Sequence, residues 1–476
     1  MEQMTEYERK RQENIERNQK MLAALGVYHT AQDLRSTAKK PKLETKGFKI
    51  SKRKRESEPT IIRRSLRTRG ISPETLKGLE VDSPSSKPSH RKFDLITPEV
   101  PVSQKNGPIS FAETYVEHGG NASNSHCLGW LKDLADDVPL VDLKFRKSSQ
   151  LSEGGGADYS PGGLKLKSEN IVRISPDRIF CVEFLPFRDK VIVVSGDKEG
   201  HLSLWDAGCS KEEGDGLHIY CPHSSPISGI AVDPFSLTKV ISCSYDGCIR
   251  AMDVEKEVFD MVYKANDSIY AICSSSSYQS IYFSEGYGTM KVLDKRVGGV
   301  SNSYSLHEKR INSIDFHPQK SHVVSTSSTD GRACIWDLRK MKKINTESLA
   351  TVQHMRAVHS AYFSPGGDML ATTSYDNKVG LLSGLDSANT DMIYHYNPPR
   401  RWISSFRAIW GWDDRYLFIG NLDRGLDAIC TESKATTTLS SPLLTTIPTR
   451  LAKHPFHCGT LAGGTGGGKV YVWQKM

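Results

Sequence analysis

The chain has 476 residues, an apolar fraction of 37%, a mean hydropathy of −0.45 and a net charge of +8. A hydropathy this low indicates that part of the chain lies outside any packed core. No run of 18 apolar residues is present, and the N-terminal residues are too charged for a signal peptide, so we expect a soluble intracellular protein.

The positive charge is concentrated near the N-terminus. Residues 1–92 carry 23 Lys and Arg against 12 Asp and Glu, whereas the other 384 residues carry 40 against 43. Residues 1–165 are also rich in Ser, Pro, Lys and Gly, and cannot bury enough apolar surface to offset chain entropy. We therefore predict that 1–165 is a basic, mostly disordered region.

One helix is predicted inside this region, at about residues 5–25. Tyr7, Ile15, Leu22 and Leu25 fall near one stripe of a helix whose other faces are charged. A helix of this length is marginal in water by itself. Two interpretations stay open, a segment that becomes ordered on a partner and a solvated arm.

Three clusters of Lys and Arg lie within residues 39–69. Runs of this kind serve as nuclear import signals, as nucleic-acid arms, or only as solvated charge. Their close spacing favours nuclear import, so we expect the protein in the nucleus. Direct DNA contact by this arm stays an open alternative.

From residue 166 onward the chain repeats itself. Seven segments each combine a turn with a short apolar strand, and their aligned positions lie 41 to 47 residues apart, at 206, 253, 294, 337, 383, 430 and 474. This period, with endings such as WD at 205–206 and 336–337, is typical of WD-repeat propeller blades of four strands each. The sequence therefore predicts an all-β, seven-bladed WD-repeat β-propeller over residues 166–476.

The ring also needs a closing strand. The chain ends just after the third strand of the last repeat, so the outer strand of that blade must come from elsewhere. The stretch at 162–174, directly before the first repeat, is the best candidate. We expect this strand to complete the last blade.

Residues that resemble catalytic or cofactor motifs are better explained as scaffold. The loop GGTGGGK (463–469) imitates a phosphate loop, but Val470 follows and a strand comes next, where a helix is required. Histidines at the start of repeats fit structural hydrogen-bond sets with Asp, Ser or Thr and Trp; for the fourth repeat we predict His307, Ser325, Asp330 and Trp336. No histidine cluster has metal-ligand spacing. We therefore expect no enzyme activity, no catalytic residue, no metal and no cofactor.

Two further motifs point to binding. WDLR (336–339) carries an Arg beyond the usual WD, and LDKR (293–296) repeats this Asp-x-Arg pattern one blade earlier. The stretch PPRRWISSFRAIW (398–410) places two arginines and a tryptophan in the loop before the sixth repeat. A packing accident, a protein-binding surface and a nucleic-acid probe are the three interpretations of that loop.

These motifs carry a resemblance to known families. WDLR resembles the box found in substrate receptors of cullin-4 ubiquitin ligases, which dock on the damaged-DNA-binding protein 1 adaptor. The stretches at 307–339 and 397–410 are similar to blades of damage-specific DNA-binding protein 2. The segments at 7–27, 63–70 and 168–180 resemble the WD repeat-containing protein 76 family more closely still.

The resemblance implies a nuclear, chromatin-associated protein that binds damaged or modified DNA and engages the cullin-4 adaptor. It places Trp402 as a wedge in the minor groove, Arg400 and Arg401 beside it, and Lys309 and Arg310 on phosphate. The loop departs from that of the damage-binding relative in two ways: it is shorter by about one residue, and Trp402 with Ile403 replaces the Phe-Gln-His of the relative.

Loops that lead into the first strand of each blade crowd one mouth of a propeller. Arg178 and Arg356 lie in such loops and join the DNA-binding set with Lys309, Arg310, Arg400, Arg401 and Trp402. The residues Asp294, Arg296, Asp337 and Arg339 form the expected adaptor-binding set on the opposite face. The alternative function is a chromatin scaffold that holds histones or a histone chaperone without recognising lesions.

Overall fold

The computed structural model describes residues 107–116 and 160–475, apart from gaps at 210–215, 234–238, 276–278, 344, 386–388 and 399–402, together with eight positions between 9 and 21. The chain divides into two units, Met1–Pro88 and Ser89–Met476. In the first unit the eight described positions are helical and exposed, and they lie within the helix predicted at 5–25. No helix in the described part of the chain is long and apolar enough to cross a bilayer.

The second unit contains seven antiparallel sheets, as the repeats predict. Before the first sheet come β1 (Ile109–Ser110), α1 (Phe111–Thr114) and, after a 3-10 turn at Pro161–Gly163, β2 (Leu164–Arg173). Blades 1 and 2 contain β3 (Ile179–Phe184), β4 (Ile192–Asp197), β5 (Leu202–Asp206), β6 (Leu217–Tyr220), β7 (Ile227–Val232), β8 (Val240–Ser244), β9 (Cys248–Asp253) and β10 (Val258–Lys264). Blades 3 and 4 contain β11 (Ile269–Ser274), β12 (Ser280–Glu285), β13 (Thr289–Asp294), β14 (Gly299–Ser305), β15 (Ile311–Phe316), β16 (Val323–Ser328), β17 (Arg332–Asp337) and β18 (Ala350–Gln353).

The remaining three blades follow the same plan. They contain β19 (Val358–Phe363), β20 (Met369–Ser374), β21 (Lys378–Ser383), β22 (Thr390–Tyr394), β23 (Ile409–Trp410), β24 (Tyr416–Gly420), β25 (Leu426–Cys430), β26 (Thr436–Leu439), β27 (Pro448–Lys453), β28 (Thr460–Thr465) and β29 (Lys469–Lys475). The first strand of each blade in chain order is the innermost, and neighbouring inner strands contact one another around the ring. The fold is therefore a seven-bladed β-propeller.

Strand β2 closes the ring. It pairs antiparallel with β29, from Leu164 opposite Lys475 to Arg173 opposite Lys469, and becomes the outer strand of blade 7. This is the strand that the sequence predicts for that position. The two ends of the propeller therefore share one sheet, which holds the ring shut.

The core is divided into seven apolar clusters, one between each pair of adjacent blades. Alternate residues of a strand point to opposite faces of its sheet, so each blade contributes side chains to two clusters. Between blades 3 and 4, for example, Met290 packs with Ile311 and Trp336. This arrangement makes every blade depend on both of its neighbours.

Two stretches differ from the prediction. The repeat alignment predicts the stretch ISSFRAIW (403–410) as the inner strand of blade 6, but only Ile409–Trp410 pairs as a strand. Earlier in that stretch, Ser404 Oγ donates to the Ile179 carbonyl of blade 1 at 2.9 Å, and the Ala408 amide donates to Thr373 Oγ1 at 2.9 Å. Polar contacts to other blades therefore replace the regular ladder there.

The second difference is residues 107–116, which lie inside the region predicted to be mostly disordered. Strand β1 adds a fifth strand to blade 2 by pairing with β10, and α1 follows with Ser110 as its N-cap. Phe111 is buried between Tyr220 of blade 1 and Phe259 of blade 2, at ring-centroid distances of 5.2 and 4.8 Å. Burial of this ring orders a segment whose flanking sequence is polar.

Candidate nucleic-acid interface

Antiparallel pairing places two kinds of connection on one face of the propeller. These are the loops into the inner strands and the turns between the second and third strands of each blade. We call this the top face. The opposite face, which carries the two other sets of turns, is the bottom face.

Histidine side chains fix the loops of the top face to their blades. In blade 4, His307 contacts Asp330 Oδ2 through Nδ1 at 2.8 Å and Thr326 Oγ1 through Nε2 at 2.8 Å. Trp336 Nε1 donates to the same Thr326 hydroxyl at 2.7 Å. All of these side chains, including the Asp330 carboxylate, are buried in the blade, which favours a structural role.

The prediction that Ser325 completes this set is wrong, because Thr326 does. Neighbouring residues of a strand point to opposite sheet faces, and the Ser325 hydroxyl donates instead to the Ala361 carbonyl of blade 5 at 2.9 Å. Similar sets recur in blades 2 and 5, where the histidines contact Asp246 with Ser242 and Asp376 with Thr372.

Hydrogen bonding also fixes the charge of these carboxyl groups. Burial alone would raise the pKa of Asp246, but hydrogen bonds from His223 and from backbone amides hold it well below its usual range. Burial likewise opposes the low pKa of Asp330, and the His307 contact outweighs it. Both carboxylates are thus ionised and already engaged, so they do not offer free negative charge to a ligand.

Basic side chains gather on the top face of blades 4 and 5. Lys309 and Arg356 are exposed, and the Arg310 guanidinium lies 5.3 Å from the centroid of the Tyr270 ring. Arg332 and Lys378, which begin the third strands of the same blades, add further positive charge. The acidic residues of this sector are fewer: Glu308 is exposed, and Asp330 and Asp376 contact histidines. The sector therefore keeps a net positive charge.

The other expected DNA-binding residues are placed differently. Arg178 is half-buried at the start of blade 1, and its carbonyl accepts a hydrogen bond from the Lys198 amide at 2.9 Å. Arg400, Arg401 and Trp402 lie outside the described residues. The loop that contains them leaves from buried Asn397, which is bound to Asn377 Oδ1 at 2.9 Å.

An aromatic arc, formed by Phe180, Tyr245 and Tyr270, borders the mouth of the central channel on the top face. The Phe180 and Tyr245 rings lie 6.3 Å apart between centroids, and Tyr245 and Tyr270 lie 5.2 Å apart. All three rings are half-buried, and the Arg310 guanidinium continues the series over Tyr270. The sequence-based selection missed this arc, because its members belong to three blades. In the sequence, the arc is indicated only by the position of each aromatic residue. Phe180 and Tyr270 are the second residues of β3 and β11, and Tyr245 directly follows β8.

The bottom face carries the two Asp-x-Arg motifs in one geometry. Arg339 donates to Asp337 from Nε at 3.0 Å and from Nη2 at 2.8 Å. Arg296 binds Asp294 in the same way, at 3.2 and 2.9 Å. The Arg339 side chain is 65% exposed and holds the pKa of the Asp337 carboxyl well below its usual range. Both guanidinium groups are therefore oriented outward and accessible.

Within the described ranges, no group of three His, Cys, Asp or Glu side chains could hold a metal ion. None of the described cysteines forms a disulfide bond. Burial raises the pKa of Cys243 to about 12, which keeps that thiol protonated.

Comparison with known proteins agrees with the propeller fold. The family of the WD domain, G-beta repeat, matches residues 214–252, 298–337 and 346–381. WD repeat-containing protein 76 of Xenopus laevis is 28% identical over 99% of this chain and 80% of its own length, and that of Mus musculus is 24% identical over 99% and 75%. The resemblance to the WD repeat-containing protein 76 family is confirmed.

A second group of relatives carries a different name. DNA damage-binding protein CMR1 of Phaeosphaeria nodorum is 26% identical over 99% of this chain and 98% of its own length. The matches to CMR1 and to WD repeat-containing protein 76 both extend far beyond the three matched WD repeats. They include the N-terminal region that precedes the propeller.

Proposed function

We propose that this protein binds duplex DNA through the top face of its propeller and favours sites where damage or modification lets a base leave the stack. The aromatic arc carries this proposal, because it places three half-buried rings beside a sector of net positive charge. Phosphates bind the basic side chains with release of counterions, and an unstacked base stacks on the rings.

The preference for damage follows from the cost of unstacking. Taking a base out of the duplex costs a few kcal/mol, and least where pairing is already lost. Stacking of a base on an aromatic side chain returns about 1–3 kcal/mol. Moving a base from the duplex onto the arc is therefore favourable only where base pairing is already weakened. The protein would thus distinguish damaged from intact DNA without reading the base sequence.

Within this proposal, each expected residue has a role. Lys309, Arg310, Arg356 and Arg178 contact phosphate, and Arg400 and Arg401 flank Trp402 as a wedge. The names of the CMR1 relatives support a role in DNA damage. We place the protein in the nucleus on chromatin, with the basic clusters at 39–69 as its import signal.

The arc is tested by comparing duplexes with and without an abasic site. We expect Tyr245→Ala/Tyr270→Ala to reduce the preference for the abasic duplex about tenfold, the value of one lost stacking contact. Fluorescence anisotropy measures both affinities. The control is Tyr394→Ala, a 70% exposed tyrosine on the outer strand β22. An unchanged preference in the double variant would remove the arc from the site.

The bottom face is proposed to dock the cullin-4 ligase adaptor, damaged-DNA-binding protein 1, so that the protein serves as a substrate receptor. Asp337, Arg339, Asp294 and Arg296 form the contact set. Exposed ion pairs contribute little to folding, so the loss of one arginine reports on binding.

Arg339→Ala should weaken binding of the adaptor at least about tenfold and lower its co-purification accordingly, because a charged hydrogen bond across an interface contributes about 1.5–3 kcal/mol. Arg415→Ala is the matched control, since Arg415 binds Asp413 on the same face at 2.8 Å. Equal recovery of the adaptor with Arg339→Ala and with the control would contradict this docking site.

A second candidate function is a chromatin scaffold that holds histones or a histone chaperone. The observation that favours it is two exposed apolar tips beside the basic sector, Tyr287 at 85% and Met355 at 88% exposure. Exposed apolar groups ringed by charge are typical of protein interfaces. Under this alternative the top face would bind an acidic protein and show no preference between the two duplexes.

A further inference from the structure

Two arginines line the central channel just below the top face. The channel is lined by the inner strands and holds a cavity of about 410 Å³. Arg407 precedes β23 of blade 6, and Arg450 lies in β27 of blade 7. We call the space between these two side chains the throat.

Each guanidinium reaches other blades. Arg407 Nη2 donates to the Asn312 carbonyl of blade 4 at 2.9 Å, and its Nη1 contacts Tyr362 Oη of blade 5 at 3.4 Å. Arg450 Nε donates to the Phe180 carbonyl of blade 1 at 2.7 Å, and its other nitrogens bind Ser405. These contacts use neutral oxygens only, and they hold both side chains in place.

No carboxylate in the described part of the chain forms an ion pair with either arginine. Burial and the neighbouring Arg407 charge lower the pKa of Arg450 to about 9. His359, only 5% exposed, has its pKa lowered to about 3 by burial and by Arg407, Arg450 and Arg310. Buried charges in folded proteins are normally paired, so the positive charge of the throat is left uncompensated.

The acidic residues of the channel do not compensate the charge of the two arginines. Glu183 and Asp315 sit further toward the bottom face, at the fifth position of β3 and of β15. Enclosure within the channel raises the pKa of each carboxyl to about 7, although the Glu183 side chain is exposed to the interior of the channel. Lys453 stands beside Asp315. The channel is thus positive toward the top face and weakly acidic toward the bottom face.

Several hydrogen-bond donors of the throat lack an acceptor. A guanidinium has five N–H groups. The bonds above engage two of these groups in Arg407 and leave three. They engage three in Arg450 and leave two. Arg407 Nε and His359 Nε2 are buried without a partner among the described residues. Free donors from two arginines, approaching from different blades, match an anion with several oxygens better than a flat carboxylate.

We propose that the throat is a binding site for a tetrahedral oxyanion, either inorganic phosphate or the terminal phosphate monoester of a nucleic-acid strand that enters from the top face. Arg407 and Arg450 provide paired donors and the compensating charge. The inference does not rest on duplex binding, because the throat lies inside the channel and the arc borders its mouth.

Calorimetric titration of the full chain with inorganic phosphate tests the site, at constant ionic strength set with chloride. We expect saturable binding by the wild type and a Kd raised at least about tenfold in Arg407→Gln, the size of a lost charge-assisted pair. Lys320→Gln, an exposed residue on the bottom face, should bind as the wild type does. Absence of saturable binding by the wild type overturns the proposal, whatever the variants do.

A second variant covers the case in which Arg407→Gln does not fold. Arg407→Lys keeps the charge and loses the planar fork, so its Kd should rise above that of the wild type, by less than the roughly tenfold rise expected for Arg407→Gln. A Kd equal to that of the wild type in whichever of the two variants folds would also overturn the site.

The source of the phosphate is separated with two thymidine hexamers, one bearing a 5′-phosphate. Stronger binding of the phosphorylated strand, competed by inorganic phosphate, assigns the strand terminus as the ligand. Equal binding of the two strands, with calorimetric phosphate binding intact, assigns free phosphate. Loss of duplex preference in the Tyr245→Ala/Tyr270→Ala variant leaves all of these outcomes unchanged, so failures of the two proposals are distinguishable.

Discussion

Thr326 is the side chain on which the polar set of blade 4 converges. Its hydroxyl, fully buried, meets both His307 Nε2 and Trp336 Nε1. Removal of the hydroxyl leaves two buried ring nitrogens without a partner, whereas the neighbouring Ser325 hydroxyl serves only carbonyl oxygens. Loss of the Thr326 hydroxyl should therefore lower the free energy of unfolding more than loss of the Ser325 hydroxyl.

We expect Thr326→Ala to destabilise the propeller by about 3 kcal/mol and Ser325→Ala by about 1 kcal/mol. The larger value reflects two unsatisfied groups, and the smaller one a single lost hydrogen bond. Urea denaturation midpoints of the two variants and the wild type measure the difference. Equal midpoints for the two variants would contradict the assignment of Thr326 to the set.

The choice between these neighbours shows the limit of sequence reasoning at the residue scale. The repeat alignment locates His307, Asp330 and Trp336, because Asp and Trp stand at fixed offsets from the end of the repeat and the histidine offset varies by one residue only. It does not distinguish Ser325 from Thr326, since both hydroxyls occur in one strand of small polar residues. Only the pairing register, with Thr326 opposite Cys334, settles which side chain faces the histidine.

At the scale of elements, strand periodicity and turn residues predict the seven blades and the closing strand β2. They do not predict residues 107–116, because a two-residue strand and one helical turn leave too short a pattern. The segment is ordered by tertiary contacts. The Cys221 amide donates to the Thr114 carbonyl at 2.7 Å, and the Val116 amide to the Ile219 carbonyl at 2.9 Å.

Phe111 is expected to anchor this segment across blades 1 and 2. Phe111→Ala should weaken its docking by about 3 kcal/mol, because a buried ring is lost. Hydrogen exchange at the Cys221 amide should then accelerate by about two orders of magnitude, while amides of β4 keep their protection.

Glu113→Gln is the control for that variant, since Glu113 is exposed on the same helical turn. Its Cys221 amide should exchange at nearly the wild-type rate. Slow exchange at Cys221 in Phe111→Ala would show that the ring is not what holds the segment.

At the scale of the whole molecule, the propeller separates the two proposed binding surfaces. The top face combines the aromatic arc, the basic sector of blades 4 and 5, and the positive end of the channel. The bottom face presents Arg296 and Arg339, each fixed by its own aspartate. A ligand held on one face leaves the other free for a second partner.

The repeats alone predict which loops share the top face, and so they predict that Lys309, Arg310 and Arg356 lie near one another. Ring contacts between blades cannot be predicted in this way, because Phe180, Tyr245 and Tyr270 are up to 90 positions apart in sequence. The throat is equally hidden, since Arg407 and Arg450 belong to segments that read as ordinary inner strands.

The salt dependence of duplex binding tests the central claim most directly. Each phosphate contact contributes about −0.9 to the slope of log K against log salt concentration. Lys309→Gln/Arg356→Gln removes two contacts, so the slope should become less steep by about 2 and the affinity should fall at low salt. Lys320→Gln on the bottom face should keep the wild-type slope. A slope and affinity unchanged in the double variant would contradict DNA binding by the top face.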